Sequence, residues 1–397
     1  MAVATFSAYE LLFYQMVSSS KGGSLGDGLV ILATLGCAIA YAYQIFSDWI
    51  APYLKLSVKE ITISAHLHWS ASAIFILLAS FVNPSITAGM IGAGVTTALA
   101  AYAIVQAKRY SSVESDSGGA ELWIYTGITT AISAIAYLIF FAFPNPWLIA
   151  NLFQPYAAAI ACFIAAMLYL PPWEEWGWEE APWHNSAFLL PLIFTFITQN
   201  AIAIPCIIIV GIFYSVYAKL QDQIRATYIT LFLWDWAIFK NVAFSASSNL
   251  GLLINICVIG FSGLYFAQVE PNLRSSNTKE SRHTLRSFFT GAMGLIAFLY
   301  SFNNPTIALI TWGLSFTFII AGLAFRVRAY LFMGTLTFIL LVITQAITVI
   351  TQYSFLMWAL GIFAGIGFIL VAANFEVRRD RILALFKNVA IELETWQ

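Results

Sequence analysis

The chain has 397 residues, of which 60% are hydrophobic and only 9% charged, with a formal net charge of −1 at pH 7 and a mean hydropathy of +0.82. Soluble domains carry about a quarter of their residues as charged side chains. The composition therefore excludes a soluble enzyme or a nucleic-acid-binding domain and leaves an integral membrane protein, all-α and polytopic.

Taken in chain order, the N-terminus lacks the basic n-region and small-residue cleavage site of a secretory signal, so the first helix is expected to stay in the protein. Residues 3–17 are apolar and aromatic but short, which suggests a helix lying on the membrane surface, and "SSSKGGSLGDG" reads as a flexible linker after it. Apolar runs of spanning length then follow one another. They cover 28–46, 64–82, 85–107, 122–143, 147–170, 186–198, 201–218, 226–244, 250–268, 285–302, 305–325, 330–350 and 354–374. About thirteen transmembrane helices (twelve to fourteen) are thus expected, joined largely as short-turn hairpins. Three segments follow from this count: an interfacial segment and linker over 1–27, a transmembrane domain over 28–374 and a tail over 375–397.

Three of the short turns share a pattern, Phe-x-Asn-Pro, in "SFVNPS", "AFPNPW" and "SFNNPT". Asn83, Asn145 and Asn304 are placed to cap the following helix, with Pro84, Pro146 and Pro305 at its first position, where no backbone N–H is missed. Convergent turn chemistry and a repeated two-helix unit both account for the pattern.

The basic residues divide by parity. Lys55, Lys59, Lys108, Arg109, Lys219, Arg225, Arg274, Lys279, Arg282, Arg286, Arg326 and Arg328 fall in connections on one side, and Lys21 stands alone on the other. The positive-inside rule makes the crowded side cytoplasmic, with the N-terminus outside or lumenal and the C-terminus inside. The tail repeats apolar residues at steps of three and four, with Arg378, Arg379, Arg381 and Lys387 suited to anionic headgroups. It is expected to form an amphipathic cytoplasmic helix on the membrane or on a partner.

Ionisable residues inside spans are the first functional candidates. Asp235 is ten residues from Arg225 and ten from Ser245, about 15 Å from either end of its helix and near the midplane. Lys240 is close enough to one end for its stem to reach water. The two are about 140° apart around a helix, so each needs its own partner or a cavity.

"LPPWEEWGWEEAPWHN" interleaves Trp173, Trp176, Trp178 and Trp183 with Glu174, Glu175, Glu179 and Glu180. Tryptophan favours headgroup depth and glutamate favours water, so the segment reads as an interfacial ledge and a docking candidate for a basic partner. His184 alone does not make metal-ligand spacing. His66 and His68 are about 200° apart on a helix and cannot grip one metal from the same face. Cys37, Cys162, Cys206 and Cys257 lie in apolar runs and read as buried free thiols. No metal or catalytic residues are assigned, an enzymatic role is the weaker reading, and the sequence names no cofactor.

The strings "WEEWGWEEAPW", "WDWAIFK", "LYFAQVEP", "FRVRAYLFMGTLTF" and "YSFLMWALGIFAGIGFILVAANFEVRRDRILALFKNVAIELETW" resemble an uncharacterised family of polytopic integral membrane proteins of cyanobacteria. That resemblance covers mainly residue 170 onward. It implies a bacterial plasma or thylakoid membrane and carries over no functional residues. Three functions fit. The first is a transporter or flippase-like protein for a small or amphipathic substrate, with Asp235 at its site. The second is a structural or assembly subunit of a larger membrane complex, such as a photosynthetic one, and the third is a membrane-embedded transferase. The partners expected are the lipid bilayer and other membrane proteins or further copies of the chain, and no nucleic acid.

Overall fold

The computed structural model describes residues 24–111, 117–245, 249–302 and 304–352, together with positions 8, 11, 12, 15, 362, 365 and 366. Apart from those isolated positions, the expected surface helix over 3–17 and the thirteenth span over 354–374 lie outside the described residues. So does the tail with Arg378, Arg379, Arg381 and Lys387.

The described residues are helical throughout, with no strand. In order they form α1 (Leu25–Ile45), the short α2 (Ser47–Leu54), α3 (Val58–Phe81), α4 (Ile86–Ser111) and α5 (Ser117–Tyr137), which runs on into a π-helical turn, Leu138–Ala142. Next come α6 (Pro146–Tyr169), with a π-helical turn of its own at Ile149–Phe153, then α7 (Glu180–Ile197) and α8 (Ile204–Leu220). The chain continues with α9 (Ala226–Ser245), α10 (Asn249–Val269), α11 (Lys279–Ser301), α12 (Pro305–Phe325) and α13 (Arg328–Gln352). Eight of these, α1, α3, α4, α5, α6, α10, α12 and α13, are long and apolar enough to cross a membrane, as expected of a helical multi-pass membrane protein.

Twelve of the thirteen apolar runs thus coincide with a helix, but several begin earlier than the runs suggest. α3 starts at Val58 instead of 64, α7 at Glu180 instead of 186 and α11 at Lys279 instead of 285. The cause is polar first turns. Reading a span from its first apolar residue misses a turn whose side chains face water. The start of α3 shows what stabilises such a turn: Ser57 Oγ accepts from the Glu60 N–H, and the Glu60 carboxylate accepts from the Ser57 N–H at 2.7 Å, a reciprocal capping box.

The Phe-x-Asn-Pro turns split. Asn145 Oδ1 accepts from the N–H groups of Trp147 and Leu148, and Asn304 Oδ1 from those of Thr306 and Ile307, each with its proline in the first turn. The first copy behaves differently. Asn83 adopts φ +52°, a left-handed conformation that asparagine tolerates, and so ends α3. Helix α4 then starts three residues later, at Ile86, with Ser85 Oγ accepting from the Ala88 N–H, so Asn83 and Pro84 are not the cap and first position. Nor do these turns always join close partners: α3 packs chiefly on α1, α4 on α5, and α6 on α7.

The chain divides into two compact units, Met1–Cys206 and Ile207–Gln397, with the boundary inside α8. In the first unit, α1, α3 and α4 enclose a core of Val30, Ala33, Trp69, Ile76, Leu99 and Tyr102. A Cβ at Gly89 would lie 2.5 Å from the carbonyl carbon and oxygen of Phe141, so only glycine lets α4 approach that backbone. In the second unit, α11 packs on α10, α12 and α13, with Met293 and Ala297 fully buried among them. Cys37, Cys162, Cys206 and Cys257 are free thiols, the first three buried and the last half-buried.

Candidate functional site

Four polar side chains of the first unit tie helices together through backbone carbonyls. Tyr41 Oη donates to Ala98 O at 2.7 Å, Trp69 Nε1 to Leu99 O at 2.9 Å, Ser72 Oγ to Ala33 O at 2.5 Å and Tyr137 Oη to Ile76 O at 2.6 Å. Each donor reaches across to a carbonyl on another helix, which satisfies the donor where no water is available. His66 and His68 face different neighbours. His66 sits among Trp123, Tyr102 and Tyr110, while the His68 ring meets Tyr43 edge-on and its Nδ1 lies 2.7 Å from Ser64 O.

The Trp/Glu segment is a folded turn. Gly177 takes φ +80°, and the chain doubles back so that Trp173 and Trp183 stack with ring centres 3.8 Å apart and planes 6° from parallel. Trp178 meets that pair edge-on, with Lys108 Nζ 5.9 Å from its ring centre. Trp176, Glu174 and Glu175 are the exposed members. Burial, and then the Glu121 carboxylate beside it, push the Glu179 carboxyl above its ordinary range. Glu180 lies 3.2 Å from His184, whose ring stacks on Tyr169. Trp183, the fourth tryptophan of the segment, is buried and anchors the other two indoles.

The second unit holds the ionisable groups that have no purely apolar explanation. Asp235 lies in the middle of α9, half-buried, and its Oδ1 accepts from Ser262 Oγ on α10 at 2.9 Å. Lys240 is half-buried further along the same helix. From Asp235 the α9/α10 seam stays polar toward the start of α9. Tyr265 Oη donates to Thr227 Oγ1 at 3.1 Å, Tyr228 Oη donates to Glu270 Oε2 at 2.6 Å, and Arg225 pairs with Glu270 Oε1 at 3.1 Å. The Tyr228 hydroxyl, and then the Arg225 guanidinium, hold the Glu270 carboxyl below its ordinary range.

Arg286 departs most from expectation. The sequence counts it among the basic connection residues, at the very edge of the run 285–302, but α11 begins at Lys279, so Arg286 lies about two turns inside the helix and is 1% exposed. One Nη donates to Gln268 Oε1 on α10, and neither Nε nor the other Nη has a partner among the described residues. The signal available beforehand was "HTLRSFFT", an arginine just after Leu285 and two residues before Phe288 and Phe289.

Among the described residues no three His, Cys, Asp or Glu side chains gather as metal ligands. A cavity of 220 Å³ in the first unit is apolar, lined by Ile135, Ile139 and Phe140 of α5 and its π turn, Phe153 and Ile160 of α6, and Phe194 of α7. No protein-family model matches the chain, and neither a curated protein nor a solved structure matches it.

Proposed function

We propose that the protein is a membrane transporter or flippase-like protein for a small or amphipathic substrate, with Asp235 as the group that binds or exchanges a cation or proton. One observation carries the reading: a carboxylate in the middle of α9, half-buried, held by a single hydroxyl from α10 and continued by a polar seam to one end of the helix pair. A carboxylate at membrane depth is costly unless it works, and a lone serine hydroxyl leaves its other lone pairs for a ligand. In this reading α7, α8, α9 and α11 also cross, as does 354–374, giving thirteen spans with the C-terminus on the basic, cytoplasmic side. The resemblance to the cyanobacterial family supports a plasma or thylakoid membrane.

A second reading, a subunit of a larger membrane complex, is favoured by the exposed Trp176 beside Glu174 and Glu175. Both readings meet one experiment. The protein is purified gently from native membranes and then reconstituted into vesicles carrying a fluorescent phospholipid and an internal pH dye. Transport predicts a lone protein or homo-oligomer whose lipid movement or proton flux is abolished by Asp235→Asn at unchanged yield. Normal flux in that variant removes the role given to Asp235, and a stoichiometric set of other membrane subunits favours the complex.

A further inference from the structure

We propose that Arg286 is the centre of a binding site for a phosphate-type oxyanion, supplied by the headgroup of an anionic lipid, at the end of α10, α11 and α13 where the basic connections lie.

A guanidinium has five N–H donors and a charge that does not titrate away. Arg286 is 1% exposed, yet only one of its nitrogens is bonded, to the neutral Gln268 side chain. Leaving a buried charge uncompensated costs several kcal/mol, so this arrangement persists only if something else neutralises it. Nothing among the described residues does. Glu270, just past the end of α10, is already engaged by Arg225 and Tyr228, and Glu280, six residues before Arg286 on α11, is exposed.

The charged neighbours, Arg282 and Arg328, are basic instead, and His283 beside them offers ring nitrogens as hydrogen-bonding groups. Arg282, His283 and Arg286 recur on one face of α11 at steps of three and four, Arg328 opens α13 within electrostatic reach of His283, and Tyr330 lies within reach of Arg286. Arg282, His283, Arg328 and Tyr330 are half-buried, so each keeps some exposure beside the buried guanidinium. A phosphodiester oxygen matches the fork geometry of arginine, and basic pockets between helix ends are where anionic headgroups settle. The site makes no use of Asp235 and stands whether or not the protein transports anything.

The test compares thermal unfolding midpoints of the delipidated full chain in mild detergent, alone, with phosphatidylglycerol, with phosphatidylcholine and with inorganic phosphate. Phosphatidylglycerol is expected to raise the midpoint and phosphatidylcholine to leave it almost unchanged. Arg286→Gln is expected to match or exceed the wild type without lipid, because an uncompensated charge is gone, and to bind phosphatidylglycerol about tenfold more weakly or worse, the loss of a charge-assisted hydrogen bond. Equal stabilisation by inorganic phosphate assigns the same site to the free ion. A wild type unmoved by either phosphatidylglycerol or phosphate overturns the proposal. So does an Arg286→Gln protein that responds to phosphatidylglycerol as the wild type does, or one destabilised equally with and without it, which is the mark of a purely structural arginine. If that variant fails to accumulate, Arg282→Gln combined with His283→Gln, both at half-buried positions, must weaken phosphatidylglycerol binding. Unchanged binding in the double variant overturns the proposal equally.

Discussion

The two units solve the same problem, polar groups inside an apolar helix bundle, in opposite ways. In Met1–Cys206 four neutral donors, Tyr41, Trp69, Ser72 and Tyr137, each end on a backbone carbonyl of another helix, while Trp183 Nε1 is buried with no hydrogen-bond partner among the described residues. In Ile207–Gln397 the buried or half-buried groups include Asp235, Glu270 and Arg286, and two of the three leave hydrogen-bonding capacity unused. Neutral, fully satisfied polar groups explain themselves as helix cross-links. Charged, partly satisfied ones do not, because a bundle could replace them with apolar residues at no loss. That difference motivates the role proposed for Asp235 and the site proposed at Arg286.

The largest effect that would sharpen this contrast is steric. Gly89→Ala puts a methyl group 2.5 Å from the Phe141 backbone, which no rotamer change relieves. The variant is expected to fail to accumulate as a monodisperse protein in detergent, whereas Gly313→Ala, with open space at its Cβ, should express normally. Normal yield for Gly89→Ala would mean that α4 and α5 do not meet as closely as described.

Acid should separate the units next. The Glu270 carboxyl is held below the ordinary value of 4.5, so its contribution is fully present above that value and is lost as pH falls through the lower, folded one. The unfolding midpoint of the wild type should therefore drop below pH 4.5, and Glu270→Gln should start lower and lose less over the same range. Parallel curves for the two proteins would remove Glu270 from the account.

The smallest effect lies in the first unit. Tyr137→Phe deletes one neutral cross-link and leaves Ile76 O its intrahelical bond, so a loss of about 0.5–1 kcal/mol is expected, without pH dependence. A loss several times larger would show that the neutral bonds carry more of the scaffold than their chemistry implies.

Much of the fold was legible because membrane helices announce themselves by apolar length, and twelve runs became twelve helices. Boundaries were less legible, since polar first turns such as that of α11 look like loops, and Arg286, at the edge of its run, was counted with the basic connection instead of the buried helix. Asn145 and Asn304 behaved as their turn sequence suggests, whereas Asn83, in the same motif, ends one helix instead of starting the next. The distinction depends on where Ser85 falls relative to α4, which the four-residue pattern does not encode. Asp235 could be placed at mid-helix by counting, but its partner Ser262 is 27 residues away along the chain and is chosen by packing. The indole stack likewise needs Gly177 to turn the chain before Trp183 can reach Trp173.

The two π-helical turns that flank the Asn145 hairpin each hold one residue more than a regular helix would use. An extra residue rotates everything beyond it by about 100°. Ile139 and Phe140 in one turn and Phe153 in the other line the apolar cavity, so its walls are set by two matched insertions on opposite sides of a hairpin. A chain descended from the same ancestor could lose both insertions together and keep the two helices in phase while closing the hollow. Losing only one would turn a lipid-facing stripe inward. Single-residue gaps at this hairpin should therefore come in pairs.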